Sequence, residues 1–315
     1  MAISGGLGSS LGISIAESTF GTYLTPTRWL EFNNESFAYK KNSVQGMGLK
    51  AGGFLGRTSR RVVATTEVQG DFEFDIPNRG FGLPLAHAMG SYPTASTGTY
   101  TFTLGNQDTK SFTLQVGASQ IGGTVTPKNV TGCKVTSWTL SVPNSGIATM
   151  KMSVDAQKYE ISTALATPSY TSSYSAFHFA QASISVAGSS VANIRDFSMT
   201  VENNLKVDRF NLGSSGLKSA PVHNDFRKVT GSLTAEFTDT TLLANFNADT
   251  PFALVVTLTN GTEIIEITLP AVYLTDGNHM VGGPSTIDIP FTFEALDNGS
   301  LEPLTIVYTT ADASL

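Results

Sequence analysis

Two-residue alternation of apolar and polar side chains recurs along this chain, and it leaves few folds open. DFEFDI (71–76), FTLQV (112–116), MKMSVDA (150–156), FSMTVEN (197–203), SLTAEF (232–237), FALVVTL (252–258) and IDIPFTFEAL (287–296) each place apolar residues on one side and polar residues on the other. That is the pattern of a half-buried strand. Gly, Pro, Asn or Asp bounds each run, supplying the backbone conformations that turns require. Helical spacing is confined to two short segments. GFGLPLAHAMG (80–90) ends in a glycine suited to the position after a helix, and DTTLLANFNAD (239–249) opens on Asp239, the expected N-cap. The expected fold class is all-β with two small helices.

The halves of the chain also resemble each other. EVQGDFEFDI (67–76) lies over KVTGSLTAEF (228–237) without a gap, so that Gly70 matches Gly231 and Phe72, Phe74 and Ile76 match Leu233, Ala235 and Phe237. A helical segment follows each strand, MGLK (47–50) parallels SGLK (215–218), and MKMSVDA (150–156) parallels IPFTFEA (289–295) in phase. Blocks recurring in one order indicate an internal duplication. The stretch ISTALATPSYTSSYS (161–175) lacks periodicity and is rich in Ser and Thr, as linkers are. The expected organisation is an N-terminal arm over 1–25, a first unit over 26–160, a linker over 161–176 and a second unit over 177–315. The start, MAISGGLGSSLGISIAEST, is Gly- and Ser-rich and reads as a flexible arm.

Charge narrows the functional classes. Charged residues make up 14% of the chain and the formal net charge is −6, where soluble proteins average about a quarter charged. Such a surface repels its own copies weakly and lacks the cations that grip nucleic acid. A protein past which DNA slides is still allowed. Cys133 is the only cysteine, so no internal disulfide forms, and an inert buried thiol is the expected role. The N-terminus carries no charged segment followed by an apolar run, and no apolar run reaches the roughly 20 residues of a spanning helix. No membrane partner is expected, and the chain is expected to stay in the cytoplasm unless it leaves inside a particle.

Catalytic and cofactor signatures are missing from the sequence. His87, His178, His223 and His279 stand far apart without metal-ligand spacing, and neither a nucleophile elbow nor a phosphate-binding loop occurs. GMGLKA (46–51) fits a dinucleotide-binding spelling, but no buried strand precedes it and no helix follows. No enzyme activity and no cofactor are expected.

The stretches ESTFGTYLTPTRWLEFNNESF (17–37), GLKAGGFLGRTSRRV (48–62) and VQGDFEFDIPNRGFGLPLAHAMG (68–90) resemble the tail tube proteins of long-tailed bacteriophages of the actinophage type. YTFTLGNQDTKSFTLQVG (100–117), VTGCKVTSWTLSV (130–142), DFSMTVENNL (196–205) and KVTGSLTAEFTD (228–239) extend the resemblance over most of the chain. It implies tandem β-sandwich units, each with one short helix, whose strands join those of neighbouring copies in a ring-shaped inner barrel. The rings stack into a conduit for the genome, and the subunit belongs to the virion after assembly in the host bacterial cytoplasm. Because the chain is duplicated, a ring of three chains with pseudo-sixfold symmetry is expected, with six chains as the alternative. Implied partners are other copies, a tape measure protein, tail terminator and baseplate proteins, and double-stranded DNA that passes without specific binding. A receptor-binding or head-decoration protein of a virion is the competing reading.

Two residue sets follow as candidates. Asp71, Glu73 and Asp75 share one face of their strand, and Glu236 takes the equivalent place in the second unit. That acidic face looks either into the channel or to the exterior. Lys50, Arg57, Arg60 and Arg61 lie in a stretch expected as a long loop over roughly 38–65. It is either an ordinary solvated loop or, as the resemblance implies, a reach to the acidic rim of the next ring.

Overall fold

The structure, a computed structural model, describes residues 5–315. Alternation became strand wherever one face found a core: in the 61–75 strand Phe72 and Phe74 are buried, while Asp71, Glu73 and Asp75 are half-exposed on the other side. The first half contains β1 Ser10–Ala16, β2 Arg28–Leu30, β3 Phe32–Glu35, β4 Ala38–Gln45, β5 Arg61–Asp75, α1 Gly82–Met89, β6 Thr99–Thr103, β7 Phe112–Ser119, β8 Val125–Val142, β9 Thr149–Ala156 and β10 Lys158–Glu160. The second contains β11 Ala182–Val186, β12 Ser189–Val191, β13 Ile194–Glu202, β14 Leu205–Lys206, β15 Val222–His223, β16 Lys228–Glu236, α2 Thr241–Asn247, β17 Phe252–Asn260, β18 Glu263–Asp276, β19 Asp288–Ala295 and β20 Thr305–Thr309.

Strand pairing repeats from half to half. An outer layer runs β2–β1–β7–β8–β10 in the first half and β12–β11–β17–β18–β20 in the second. An inner layer runs β3/β4–β5–β9–β8 and then β13–β16–β19–β18. The long strands β8 and β18 pass from one layer to the other, each through a register shift, at Val135/Ser137 and at Leu274/Asp276. A bulge bends a strand in this way. Registers agree as well: Phe72 faces Met152 as Leu233 faces Phe291, and Gly70 faces Val154 as Gly231 faces Phe293. Both glycines are required by close approach, since a Cβ would lie 2.5 Å from the Phe37 Cα at Gly70 and 2.4 Å from the Ser198 carbonyl oxygen at Gly231.

Three expectations about local structure need correction. The Gly- and Ser-rich start is not simply a flexible arm: β1 pairs with both β2 and β7, and Leu11 and Ile13 are fully buried. The short alternation LGISI outweighs the composition around it; the arm's first four residues lie outside the described ones. The 38–65 stretch is not a long loop but a hairpin, in which β4 pairs with β5 and only 46–60 is irregular. Its alternation is masked because both faces are exposed. Finally, Thr240 rather than Asp239 is the N-cap of α2, although the Asp239 carboxylate accepts the Thr241 N–H at 2.8 Å.

The halves are interlocked. β13 pairs with the end of β8, from Phe197↔Val142 to Glu202↔Ser137, so the inner layers form one continuous antiparallel sheet. β6, from the first half, pairs with β20 and completes the outer layer of the second. In return, the C-terminal residues cover α1: Gly80 N–H donates to the Asp312 carboxylate at 2.6 Å, and Tyr308 packs edge-on against Phe81. Residues 161–175 contain no strand and lie along the first outer layer, where the Gln115 side-chain amide donates to the Ala164 carbonyl and its oxygen accepts the Ala166 N–H.

Candidate assembly surfaces

The continuous inner sheet has one face in the core and one polar face, and all four predicted acidic residues lie on the polar one. Lys151 Nζ pairs with Asp71 at 3.1 Å, Asn34 donates to Glu73 at 3.0 Å and Asn33 to Asp75 at 2.8 Å. Glu236 stands 3.9 Å from Arg195, which also pairs with Asp288 at 2.6 Å. Across the strands the register aligns Glu73, Lys151, Thr139, Thr200, Thr230 and Glu294 in one row. Thr139 and Thr200 hydrogen-bond at 2.8 Å across the joint between halves. The middle of the face is therefore a field of neutral hydroxyls, flanked by carboxylates that cations partly offset.

The predicted basic residues lie together on the projecting hairpin, apart from that acidic set. Lys50, Arg60 and Arg61 are exposed and Arg57 is half-exposed, and none of the four forms an ion pair among the described residues. The hairpin tip also exposes Met47, Leu49, Phe54 and Leu55, the last three at 100%, 99% and 89%. Apolar side chains clustered in solvent mark a surface that another molecule covers.

Sequence reasoning missed a buried cation. The loop between β14 and β15 folds back onto the first half, where the Thr66 N–H donates to the Gly216 carbonyl at 3.1 Å. Lys218, 1% exposed, is hydrogen-bonded to Asp155 and lies 3.4 Å from Glu67. Burial raises the Asp155 carboxyl's pKa, and Lys218 pulls it back down. The parallel of MGLK with SGLK marked this lysine's position but not its burial. Beside it, Lys134 Nζ donates to the carbonyls of Gln107, Asp108 and Pro221, each at 2.7 Å, and desolvation lowers its pKa to about 8.

Other buried polar groups serve the fold. His87 is buried in α1, stacked on Phe112; its Nε2 donates to the Ser14 carbonyl at 2.8 Å and its Nδ1 accepts from the Tyr92 hydroxyl. Burial holds its pKa down at about 4, so the ring is neutral at physiological pH. The Cys133 thiol is fully buried and its pKa is pushed well up, chiefly by desolvation. No group of three or more metal-ligating side chains occurs among the described residues, and no helix among them is long and apolar enough to cross a membrane.

The end of the second sandwich is open. A cavity of about 590 Å³ lies between α2 and the strand ends, lined in part by Val191, Ala235, Phe237, Leu242 and Phe291. At the matching end of the first sandwich, Phe74, Trp29 and the linker residues Tyr170 and Tyr174 leave about 10 Å³.

Comparison with curated proteins returned no match. A protein family does match, over residues 6–295, and its description is phage tail tube protein. A β-rich chain with long antiparallel sheets, exposed strand edges and a projecting apolar hairpin accords with a structural, self-assembling virion component. The chain belongs to the phage tail tube protein family.

Proposed function

We propose that three copies close into a ring whose inner sheet is continuous, and that stacked rings form a hollow conduit carrying double-stranded DNA from capsid to host. The observation that carries this reading is the pairing of β13 with β8, which sets two like groups of inner strands side by side within one chain. Each chain then fills two of six equivalent positions, with units over 26–160, to which β1 adds its strand, and over 177–315, joined by the 161–176 linker. The strands at the ends, β3/β4 and the 273–276 end of β18, keep unpaired backbone edges that recruit further chains. A heterologous contact that closes by rotation gives a ring. Mass measurement of isolated rings tests the stoichiometry: three chains are expected, and six would overturn it.

In this arrangement the polar face lines the bore. Its hydroxyls offer no fixed charge to the phosphates, and Asp71, Glu73, Asp75 and Glu236 repel them, so the duplex stays centred without specific binding. The repulsion weakens as salt rises. Replacing Asp71, Glu73 and Asp75 by Lys in phage is expected to leave tubes intact and slow ejection. Unchanged ejection, with those lysines labelled by a bulky reagent outside intact tubes, would place the face on the exterior. Arg57, Arg60 and Arg61 reach the acidic rim of the adjacent ring. A tape measure protein occupies the bore during assembly in the host cytoplasm, and terminator and baseplate proteins close the two ends.

A further inference from the structure

The joint between the halves is a template for the joint between chains. We infer that the β3/β4 edge of one copy pairs with residues 276–281 of the next, and that Lys50 crosses that joint to pair with Glu294. The inference rests on the ring reading above.

Within the chain, residues 137–142 of β8 receive β13, and the loop that follows β13 delivers Lys218 to Asp155. Both sides of this joint exist a second time. Residues 134–156 run over 273–295 without a gap, with matched bulges, so Asp276–Val281 corresponds to Ser137–Val142 and Glu294 to Asp155. Phe32–Lys40 corresponds likewise to Ile194–Glu202, because Phe32 faces Phe74 as Ile194 faces Ala235. The loop that follows, 46–60, carries Lys50 in the same Gly-Leu-Lys setting as Lys218.

In the isolated chain neither of these second copies has a strand paired on its outer edge. Residues 277–287 form no strand, and Met280 and Val281 are 80% and 75% exposed. The opposite edge is broken at Ser36–Phe37, between β3 and β4, whereas the equivalent stretch of β13 is unbroken. The Glu294 carboxylate is half-buried with no ion-pair or hydrogen-bond partner among the described residues. Lys50 is exposed.

Repeating the internal register places Glu35 opposite Val281, Phe37 opposite His279, Ala38 opposite Asn278 and Lys40 opposite Asp276. Opposite charges thus meet at Lys40 and Asp276 and again at Lys50 and Glu294. The occupant of this edge is a second copy of this chain, and pairing converts 277–281 into strand.

Two sets of variants test the inference on the full chain. With Ala38→Cys and Asn278→Cys together, mild oxidation of assembled protein is expected to give a covalent ladder that ends at the number of chains in a ring. Buried Cys133 stays out of that reaction. Lys50→Glu alone and Glu294→Lys alone are each expected to lower ring yield at least tenfold, and the two together to restore it. An assembling protein that gives no ladder, or in which Lys50→Glu leaves ring yield unchanged, overturns this joint while leaving the ring standing. Failure of the unaltered chain to form rings at all overturns the ring reading and the joint with it.

Discussion

The two ends that carry the helices share a strand order and a register but are filled differently. In the first half every residue of α1 is buried, the C-terminal residues cover its start, and two linker tyrosines close the adjoining gap. In the second, only Leu242 of α2 is buried, Ala235 stands where the first half has Phe74, and a cavity of about 590 Å³ remains. Pairing order and register are common to both, so this difference concerns filling and not topology. A strand frame is under tight constraint, because a one-residue slip inverts every side chain. Filling tolerates drift as long as total burial suffices.

Substitutions sharpen the comparison. Phe74→Ala removes a ring from a closed site and is expected to cost about 3–5 kcal/mol, measured by denaturant unfolding. Leu242→Ala, beside a gap that already exists, is expected at or below about 2 kcal/mol. Equal losses would mean that the open end is as tightly packed as the closed one.

Acid is expected to distinguish the halves next. His87 is neutral when folded, with a pKa near 4 against 6.5 for a free imidazole. The unfolded chain therefore binds a proton first as pH falls, and stability drops between pH 6.5 and 4. The loss approaches about 3 kcal/mol for that shift. It should be confined to the first half, where amide exchange near α1 would accelerate before exchange near α2, and His87→Gln should flatten the slope. Loss of protection at α2 first would reverse the ranking. Ala235→Phe, which places the ring of the first half into the cavity of the second, is expected to change stability by only about 1 kcal/mol. A loss of several kcal/mol would show that the space is needed. The smallest effect on the fold is expected from exchanging Arg57, Arg60 and Arg61 for Glu, within about 0.5 kcal/mol for exposed charges. Tube formation should nevertheless fail, because like charges would then meet between rings. Normal tubes from that variant would return the cluster to an ordinary solvated role.

The frame was legible in the sequence because it rests on period-two burial. DFEFDI and SLTAEF align in strands of identical register, and the four acidic candidates share a face because alternation requires it. What escaped depended on contacts between distant segments. The β4–β5 hairpin passed for a loop because neither of its faces meets this chain's own core. Leu-Lys after glycine reads the same at 49–50 and 217–218, yet Lys218 is buried against Asp155 and Lys50 is in solvent. No local signal separates the two; only the presence of a neighbouring sheet does. The pairing of Asp71 with Lys151 was hidden for the same reason, since the partner strand lies far along the chain.

Last, consider the order in which the ribosome releases this chain. β6 emerges well before its hydrogen-bonding partner β20, and the residues covering α1 follow β20. An unfinished chain thus cannot complete its second outer layer or shield its first helix. Contacts this distant in sequence also form slowly. A chain interrupted before β20 would leave the second outer layer unfinished and α1 uncovered, so each half depends on the other to close its core.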